Sequence, residues 1–176
     1  MVVASQKGGS GKTTLVRSLA VAAELGKHGP VALLDLDPQG SLTAWWNRRL
    51  AETPLLVRAE PNSLTAALDR LRANRIRLLL IDTPPSAHPF LADVVRAADH
   101  ALVPVRPSPD DPAAIGPTVA MLEQGNTRFV FVLTQAKPRA GLLSRLCARL
   151  LRMGGWHRLR SIIAPNICLL PCAAWR

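Results

Sequence analysis

Residues 7–14 read KGGSGKTT and combine the residue types that bind phosphate groups. Glycines let the backbone curl with its N–H groups pointing inward, and a helix that begins directly after them adds partial positive charge. In such loops a lysine reaches the β- and γ-phosphates of a nucleotide, and a threonine hydroxyl binds Mg²⁺. The alternative is a glycine-rich turn with a surface lysine. The candidate nucleotide ligands are Gly8, Gly9, Ser10, Gly11, Lys12, Thr13 and Thr14.

Carboxylates follow two later apolar runs. Asp35 and Asp37 come after residues 31–34, and Asp82 comes after residues 77–81. Buried strands of a parallel sheet read as such continuous apolar runs, and ligands bind beyond their carboxyl ends. Taken alone, Asp35 and Asp37 fit a solvated, proline-containing turn equally well. Their position after a strand, like that of the glycine-rich segment, predicts that the three segments meet in one site.

The elements that position these residues alternate between strand and helix along the chain. Apolar runs predict strands at 2–4, 31–34, 55–57, 77–81, 101–103 and 129–133. The segments between them predict helices at 12–27, 41–49, 63–74, 89–98 and 112–124. This alternation indicates an α/β fold with a doubly wound, mostly parallel sheet that is covered on both faces. No linker divides the sequence, so we expect a single domain over residues 1–176.

Four segments together resemble the ParA/MinD family of P-loop ATPases. The segment KGGSGKTT resembles the deviant Walker A motif KGGxGK[ST], whose first lysine is matched by Lys7. LDLDPQGS at 34–41 resembles the next motif of the family, and its DPQ form favours the ParA branch over the MinD branch. LLIDTPP at 79–85 is similar to the Walker B segment, and VPVRPSP at 103–109 is similar to a proline-rich loop of short partition ATPases. The resemblance covers roughly residues 1–140.

This resemblance implies a P-loop NTPase fold, ATP and Mg²⁺ as cofactors, and roles for individual residues. Lys7 would cross the interface of an ATP-dependent homodimer to the phosphates of the partner's ATP, where it would neutralise developing charge together with Lys12. Asp37 would orient the attacking water. Asp35 and Asp82 would hold Mg²⁺ through its waters, with Thr13 as a further ligand. Residues 108–111 and 134–135 fall where the family contacts the base.

The distribution of charge points to a polyanionic partner. The net charge is +10, from 22 lysines and arginines against 12 acidic residues, and no Asp or Glu follows Glu123. Residues 140–153 have helical periodicity, with an apolar stripe beside a stripe of Arg145, Arg149 and Arg152. Such a helix is an ordinary surface helix, a nonspecific DNA-binding element or, less favoured, a membrane-surface element. We expect nonspecific DNA, rather than a membrane, as the partner of this basic surface.

The sequence departs from the family pattern after about residue 153. Residues 154–176 contain a possible strand at 162–164 but no closing helix, so we expect an atypical, truncated or frame-shifted segment. There is no apolar run of about 18 residues and no secretory signal, and three scattered cysteines suit a reducing cytosol. The expected protein is a cytoplasmic, nucleoid-associated ParA-type ATPase whose hydrolysis is stimulated by a centromere- or cargo-binding adaptor. The alternatives are a MinD-type membrane-surface ATPase and a relative that binds nucleotide or DNA without cycling.

Overall fold

The computed structural model describes residues 1–60, 63–85, 88–106, 114–135 and 168–169. The strands in these ranges are β1 (Val2–Val3), β2 (Val31–Asp35), β3 (Leu55–Val57), β4 (Leu78–Asp82), β5 (His100–Val105), β6 (Arg128–Leu133) and β7 (Cys168–Leu169). The helices are α1 (Lys12–Leu25), α2 (Ser41–Trp46), α3 (Leu64–Ala73), α4 (Leu91–Arg96) and α5 (Gly116–Gln124). None of the helices in the described ranges is both long enough and apolar enough to cross a membrane.

The strands form one sheet in the order β3-β2-β4-β1-β5-β6-β7. Strands β1 to β6 pair in parallel, and β7 runs antiparallel, against the end of β6. Parallel strands end at the same edge of a sheet, so the segments that follow β1, β2 and β4 are neighbours. Asp82 pairs with Val3 on one side and with Asp35 on the other, so the ends of β1, β2 and β4 lie side by side at the same edge of the sheet. The predicted mostly parallel α/β sheet is confirmed.

Side chains of the sheet alternate between two apolar layers, as the pleat of a strand requires. Val2 packs in the layer that contains residues of α3, α4 and α5, and Val3 packs in the layer that contains residues of α1 and α2. Helices therefore cover both faces, as expected for a doubly wound sheet. Strands with both faces covered are apolar at every position, which explains the unbroken run of β2, where residues 31–34 are all buried.

Helix α2 is attached at both ends to other parts of the fold. Asp35 lies at its amino end, where its carboxylate accepts hydrogen bonds from the N–H and the hydroxyl of Thr43, each at 2.8 Å. At its carboxyl end the indole N–H of Trp46 donates to the carbonyl of Pro54 at 2.7 Å, directly before the edge strand β3. The guanidinium of Arg49 lies 4.7 Å from the ring centre of Trp45, where a cation and an aromatic face attract each other.

All six strands predicted from sequence are present, but several helices are shorter than predicted. Helix α2 ends at Trp46 rather than at residue 49, and α4 covers 91–96 rather than 89–98. The sequence does not predict strand β7, because a two-residue strand arises from its pairing with β6 and leaves little local signal. The predicted basic helix at 140–153 and the possible strand at 162–164 lie outside the described residues.

Candidate nucleotide-binding site

The predicted phosphate loop lies in a cleft of about 310 Å³ at the carboxyl edge of the sheet. The loop connects β1 to α1, and β1 is an inner strand with β4 on one side and β5 on the other. The cleft thus brings segments from four strands together, in agreement with the sequence-based prediction of a shared site. Its lining consists of Gly8, Gly9, Ser10, Gly11, Lys12, Thr13, Thr14, Asp37, Pro85 and Gln135.

The backbone of the loop requires glycine at two positions. Gly9 has φ of 67° and Gly11 has φ of 95°, both in the left-handed region that residues with a side chain rarely adopt. A Cβ at Gly11 would lie 3.5 Å from the Cγ2 of Thr134, an ordinary van der Waals contact, so the backbone angle rather than the available space selects glycine here. The carbonyl of Gly11 accepts the first helical hydrogen bond of α1, from the N–H of Leu15 at 2.9 Å. The loop therefore passes directly into the helix amino terminus, where anions bind.

Thr134 supports the loop from the end of β6. Its buried hydroxyl donates a 2.8 Å hydrogen bond to the carbonyl of Ser10, and its N–H donates to the carbonyl of Val105 at 2.8 Å. The resemblance to the family places residues 134–135 where the base is contacted, and it does not predict this supporting contact. The sequence signal for it is a polar residue directly after an apolar strand, as at Asp35 and Asp82. Gln135 lines the cleft, and its base contact stays a prediction.

Lys12 is buried although its ammonium group is charged. Only 6% of the residue is exposed, and Nζ donates a long, 3.4 Å hydrogen bond to the carbonyl of Lys7. Loss of solvation lowers the pKa of Lys12, while the charges of Asp82 and Asp37 oppose that shift. An ammonium group that has lost part of its water and donates a long hydrogen bond is well suited to bind phosphate oxygens.

Asp82 is fully buried, and neither carboxylate oxygen accepts a hydrogen bond of regular geometry from the described residues. Burial is the main cause that raises its pKa to about 6. The neighbouring Thr13 hydroxyl lowers this pKa, the charge of Asp35 raises it, and the charge of Lys12 lowers it. The hydroxyl is thus near enough to favour the carboxylate form without a well-formed hydrogen bond. Two anionic oxygens that lack such bonds, beside a threonine hydroxyl, fit a hydrated Mg²⁺ ion.

The described residues contain no cluster of three or more His, Cys, Asp or Glu side chains that would hold a metal directly. A Mg²⁺ ion here would therefore be held mainly by phosphate oxygens and water, with Thr13 and Asp82 nearest to it. Asp35, the other predicted metal residue, has both carboxylate oxygens occupied. Besides the bonds from Thr43, it accepts the N–H of Asp37 at 3.2 Å. Its observed contacts are structural, and its role toward Mg²⁺ stays a prediction.

Asp37 is half-buried at the cleft, at the tip of the turn between β2 and α2. Its carboxylate accepts the N–H of Gln39 at 3.0 Å, and its carbonyl accepts the N–H of Gly40 at 2.8 Å. These bonds fix the turn and leave Asp37 among the residues that face the loop.

Lys7 is half-buried directly before the loop, and its predicted contact with a second subunit stays a prediction. Arg145, Arg149 and Arg152, like residues 108–111, lie outside the described residues.

Replacing Thr134 with valine removes the hydroxyl that holds the phosphate loop but keeps the shape of the side chain. We expect ATP affinity to fall by about fivefold to twentyfold, because one buried hydrogen bond is lost and the Ser10 carbonyl is left unpaired. Titration calorimetry checks this. Thr127→Val is the matched control, since Thr127 precedes β6 and its buried hydroxyl donates to the carbonyl of Val95 at 2.7 Å, away from the site. Equal ATP affinities of the two variants would contradict the supporting role of Thr134.

Replacing Asp82 with asparagine should stabilise the nucleotide-free protein. The pKa of Asp82 rises from 3.8 to about 6 on folding, so the folded form keeps a proton that the unfolded chain has lost. Deprotonation of Asp82 therefore lowers the free energy of unfolding as pH rises from about 4 to 6, and the free energy of unfolding stays lowered above pH 6. We expect Asp82→Asn to gain roughly 1–3 kcal/mol near pH 7, measured by urea denaturation.

The same variant should lose the pH dependence between about pH 4 and 6 and the Mg²⁺ enhancement of ATP binding. Asp69→Asn is the control, because Asp69 is an exposed carboxylate on α3 in an ion pair with Arg72. An Asp82→Asn protein that is no more stable than this control near pH 7 would contradict the assignment of an unfavourable buried carboxylate.

Known proteins match this chain across the sequence segments that form this nucleotide site. The family described as the CobQ/CobB/MinD/ParA nucleotide binding domain matches residues 1–166. The chain is 30% identical over 162 residues to "Maintenance of carboxysome distribution protein A" of Halothiobacillus neapolitanus, covering 88% of this chain and 74% of that protein. It is 35% identical over 136 residues to "Chromosome-partitioning ATPase Soj" of Thermus thermophilus, covering 60% of this chain and 54% of that protein.

Among solved structures, apo McdA from Cyanothece superposes with a TM-score of 0.70 at 17% identity. The match covers 89% of this chain and 82% of that one, and shows the same fold. The family match spans most of the chain and includes the loop, the β2–α2 turn and the end of β4. The chain therefore belongs to the CobQ/CobB/MinD/ParA family of nucleotide-binding domains and is a ParA-type P-loop ATPase.

Proposed function

We propose that this ATPase dimerises around ATP, binds DNA without sequence preference, and hydrolyses ATP to position a cargo. The observation that carries the proposal is the arrangement of Lys12 and Lys7 at the phosphate loop. Lys12 is buried and its ammonium group donates a 3.4 Å hydrogen bond to the backbone carbonyl of Lys7, so Lys7 lies directly beside the residue that lines the cleft. A lysine that precedes the loop in this way is suited to bind the nucleotide of a second subunit.

Hydrolysis requires a water molecule to attack the γ-phosphorus while the bond to the β–γ bridging oxygen breaks. The products are ADP, inorganic phosphate and a proton. Asp37 is the carboxylate of the cleft that is half-buried rather than fully enclosed, so we assign it the orientation of that water. Lys12 and Lys7 compensate the negative charge that develops on the phosphoryl oxygens. Mg²⁺, when bound, neutralises part of the phosphate charge.

Stimulation by a second protein is part of the proposal. The β2–α2 turn, whose Asp37 lines the cleft, carries no arginine, and its glutamine, Gln39, is exposed. A site that depends on one half-buried carboxylate is expected to turn over slowly until an adaptor orders it. The relatives are named for carboxysome distribution and for chromosome partitioning. We therefore propose that the cargo is a large cellular body that an adaptor links to the ATPase.

The DNA interaction is proposed from charge. A net charge of +10 favours nonspecific attraction to the DNA backbone, and the acid-free stretch after Glu123 concentrates that charge in one part of the sequence. Arg145, Arg149 and Arg152 are the residues proposed to contact DNA phosphates. Binding to the nucleoid in the cytoplasm is the cellular location that this interaction implies.

Gel filtration with ATP, ADP or no nucleotide tests the dimerisation cycle. Wild type should dimerise only with ATP and return to monomer as ATP is consumed. Asp37→Ala should bind ATP and stay dimeric, because the attacking water is no longer oriented, with turnover lowered by about a hundredfold. Lys12→Ala is the control that fails to bind nucleotide and stays monomeric. An Asp37→Ala protein that hydrolyses ATP normally would refute the water-orienting role, and a wild type that is monomeric with ATP would refute the dimer.

Reversing Arg145, Arg149 and Arg152 to glutamate tests the DNA surface. We expect DNA affinity to fall by about tenfold or more at low salt and the salt dependence of binding to become shallower, because fewer counterions are released. Arg70, Arg72 and Arg75, reversed together, are the matched control with the same change in charge. Fluorescence anisotropy with unrelated DNA duplexes measures both. Undiminished binding, or an equal loss in the control, would show that residues 140–153 form no DNA surface; binding to anionic vesicles instead would favour the membrane alternative.

A further inference from the structure

Arg106 lies beside the phosphate loop but is not part of the loop itself, of the β2–α2 turn or of the segment at 79–85. It is the first residue after β5, and β5 pairs with β1, so it stands at the same edge of the sheet as the loop. The residue is half-buried. A Cβ added to Gly9 would lie 3.8 Å from the Nη1 atom of Arg106, so the guanidinium lies next to the space beside Gly9, where a side chain at that position would be.

The sheet order separates the charges around the loop. The acidic residues Asp35 and Asp82 come from β2 and β4, which lie on one side of β1. Arg106 comes from β5, which lies on the other side. The phosphate loop lies between these acidic residues and Arg106. A phosphate chain held by the loop would therefore have Asp35, Asp82 and a bound Mg²⁺ on one side, and the charged guanidinium of Arg106 on the other.

The chemistry of the two neighbours suits a phosphate contact. Gly9 is exposed and has no side chain, so it leaves open the space between the guanidinium of Arg106 and a phosphate group bound by the loop. A guanidinium stays charged at all physiological pH values and offers several N–H donors in a plane, which match two oxygens of one phosphate.

We propose that Arg106 binds phosphate oxygens of the nucleotide held by the loop and so raises ATP affinity. The inference rests on the proposed nucleotide site, to which it adds a third cation from a different strand. Arg106 is in this view a nucleotide-binding residue that the loop motif does not include. Its contact is electrostatic, so its strength depends on salt concentration and on the charge of the side chain.

Arg106→Gln tests this against Arg128→Gln, a matched control with the same loss of charge. Arg128 is exposed at the opposite, amino end of β6. We expect ATP affinity to fall by about tenfold in Arg106→Gln at low salt, and by less than about twofold in Arg128→Gln. Arg106→Lys, which keeps the charge, should recover part of the loss. Titration calorimetry at about 50 mM and 500 mM salt gives the affinities, and thermal melting confirms that each variant is folded.

The deficit of Arg106→Gln relative to wild type should shrink at the higher salt concentration. ATP affinity equal to that of Arg128→Gln would overturn the inference. A deficit that is the same at both salt concentrations would also overturn it, because that result assigns Arg106 to packing of the loop rather than to phosphate binding. Either outcome leaves the proposed function intact if wild type binds ATP and Lys12→Ala does not. A wild type that fails to bind ATP would overturn the proposed function itself.

Discussion

The site depends on a carboxylate and an ammonium group that are held out of water without sufficient partners. Asp82 is fully buried, with no regular hydrogen bond to its oxygens from any described residue, and Lys12 is buried with a long hydrogen bond from Nζ. Each group offsets part of the cost of the other, yet burial still shifts both pKa values toward the neutral forms. Binding of a phosphate chain with its cation relieves both costs together, so nucleotide binding is expected to stabilise the fold as well as fill the cleft.

The remainder of the fold keeps these two groups in place. The parallel sheet brings the end of β4 and the start of α1 together, and apolar layers on both faces keep water away from them. Each neighbouring strand end then adds one component. The β2–α2 turn contributes Asp37 to the lining of the cleft, the hydroxyl of Thr134 at the end of β6 supports the loop, and the end of β5 places Arg106 beside Gly9. Function is distributed over strand ends, which are adjacent in space and far apart in sequence.

Much of this site could be predicted from sequence because its central parts are local. KGGSGKTT lies within eight residues, and the acidic turns directly follow apolar strands, so their positions after strands of a parallel sheet indicated their proximity. Thr134 could not be predicted in the same way, because it lies 124 residues from its partner Ser10 and a threonine after a strand is also typical of an ordinary turn. The structural role of Asp35 could not be predicted either. An aspartate directly after a strand looks the same in a sequence whether its carboxylate holds a metal ion or accepts hydrogen bonds from the next helix, as Asp35 does from Thr43.

Hydrogen bonds at both ends of α2 connect the β2–α2 turn, through the helix, to the segment before β3. Asp35 joins the turn to Thr43 near the start of the helix, and Trp46 joins the helix to Pro54 beside the edge strand β3. The turn, helix α2 and the residue before β3 are therefore connected by hydrogen bonds from the cleft to the edge of the sheet, so the position of Asp37 is set by the whole unit and not by the turn alone.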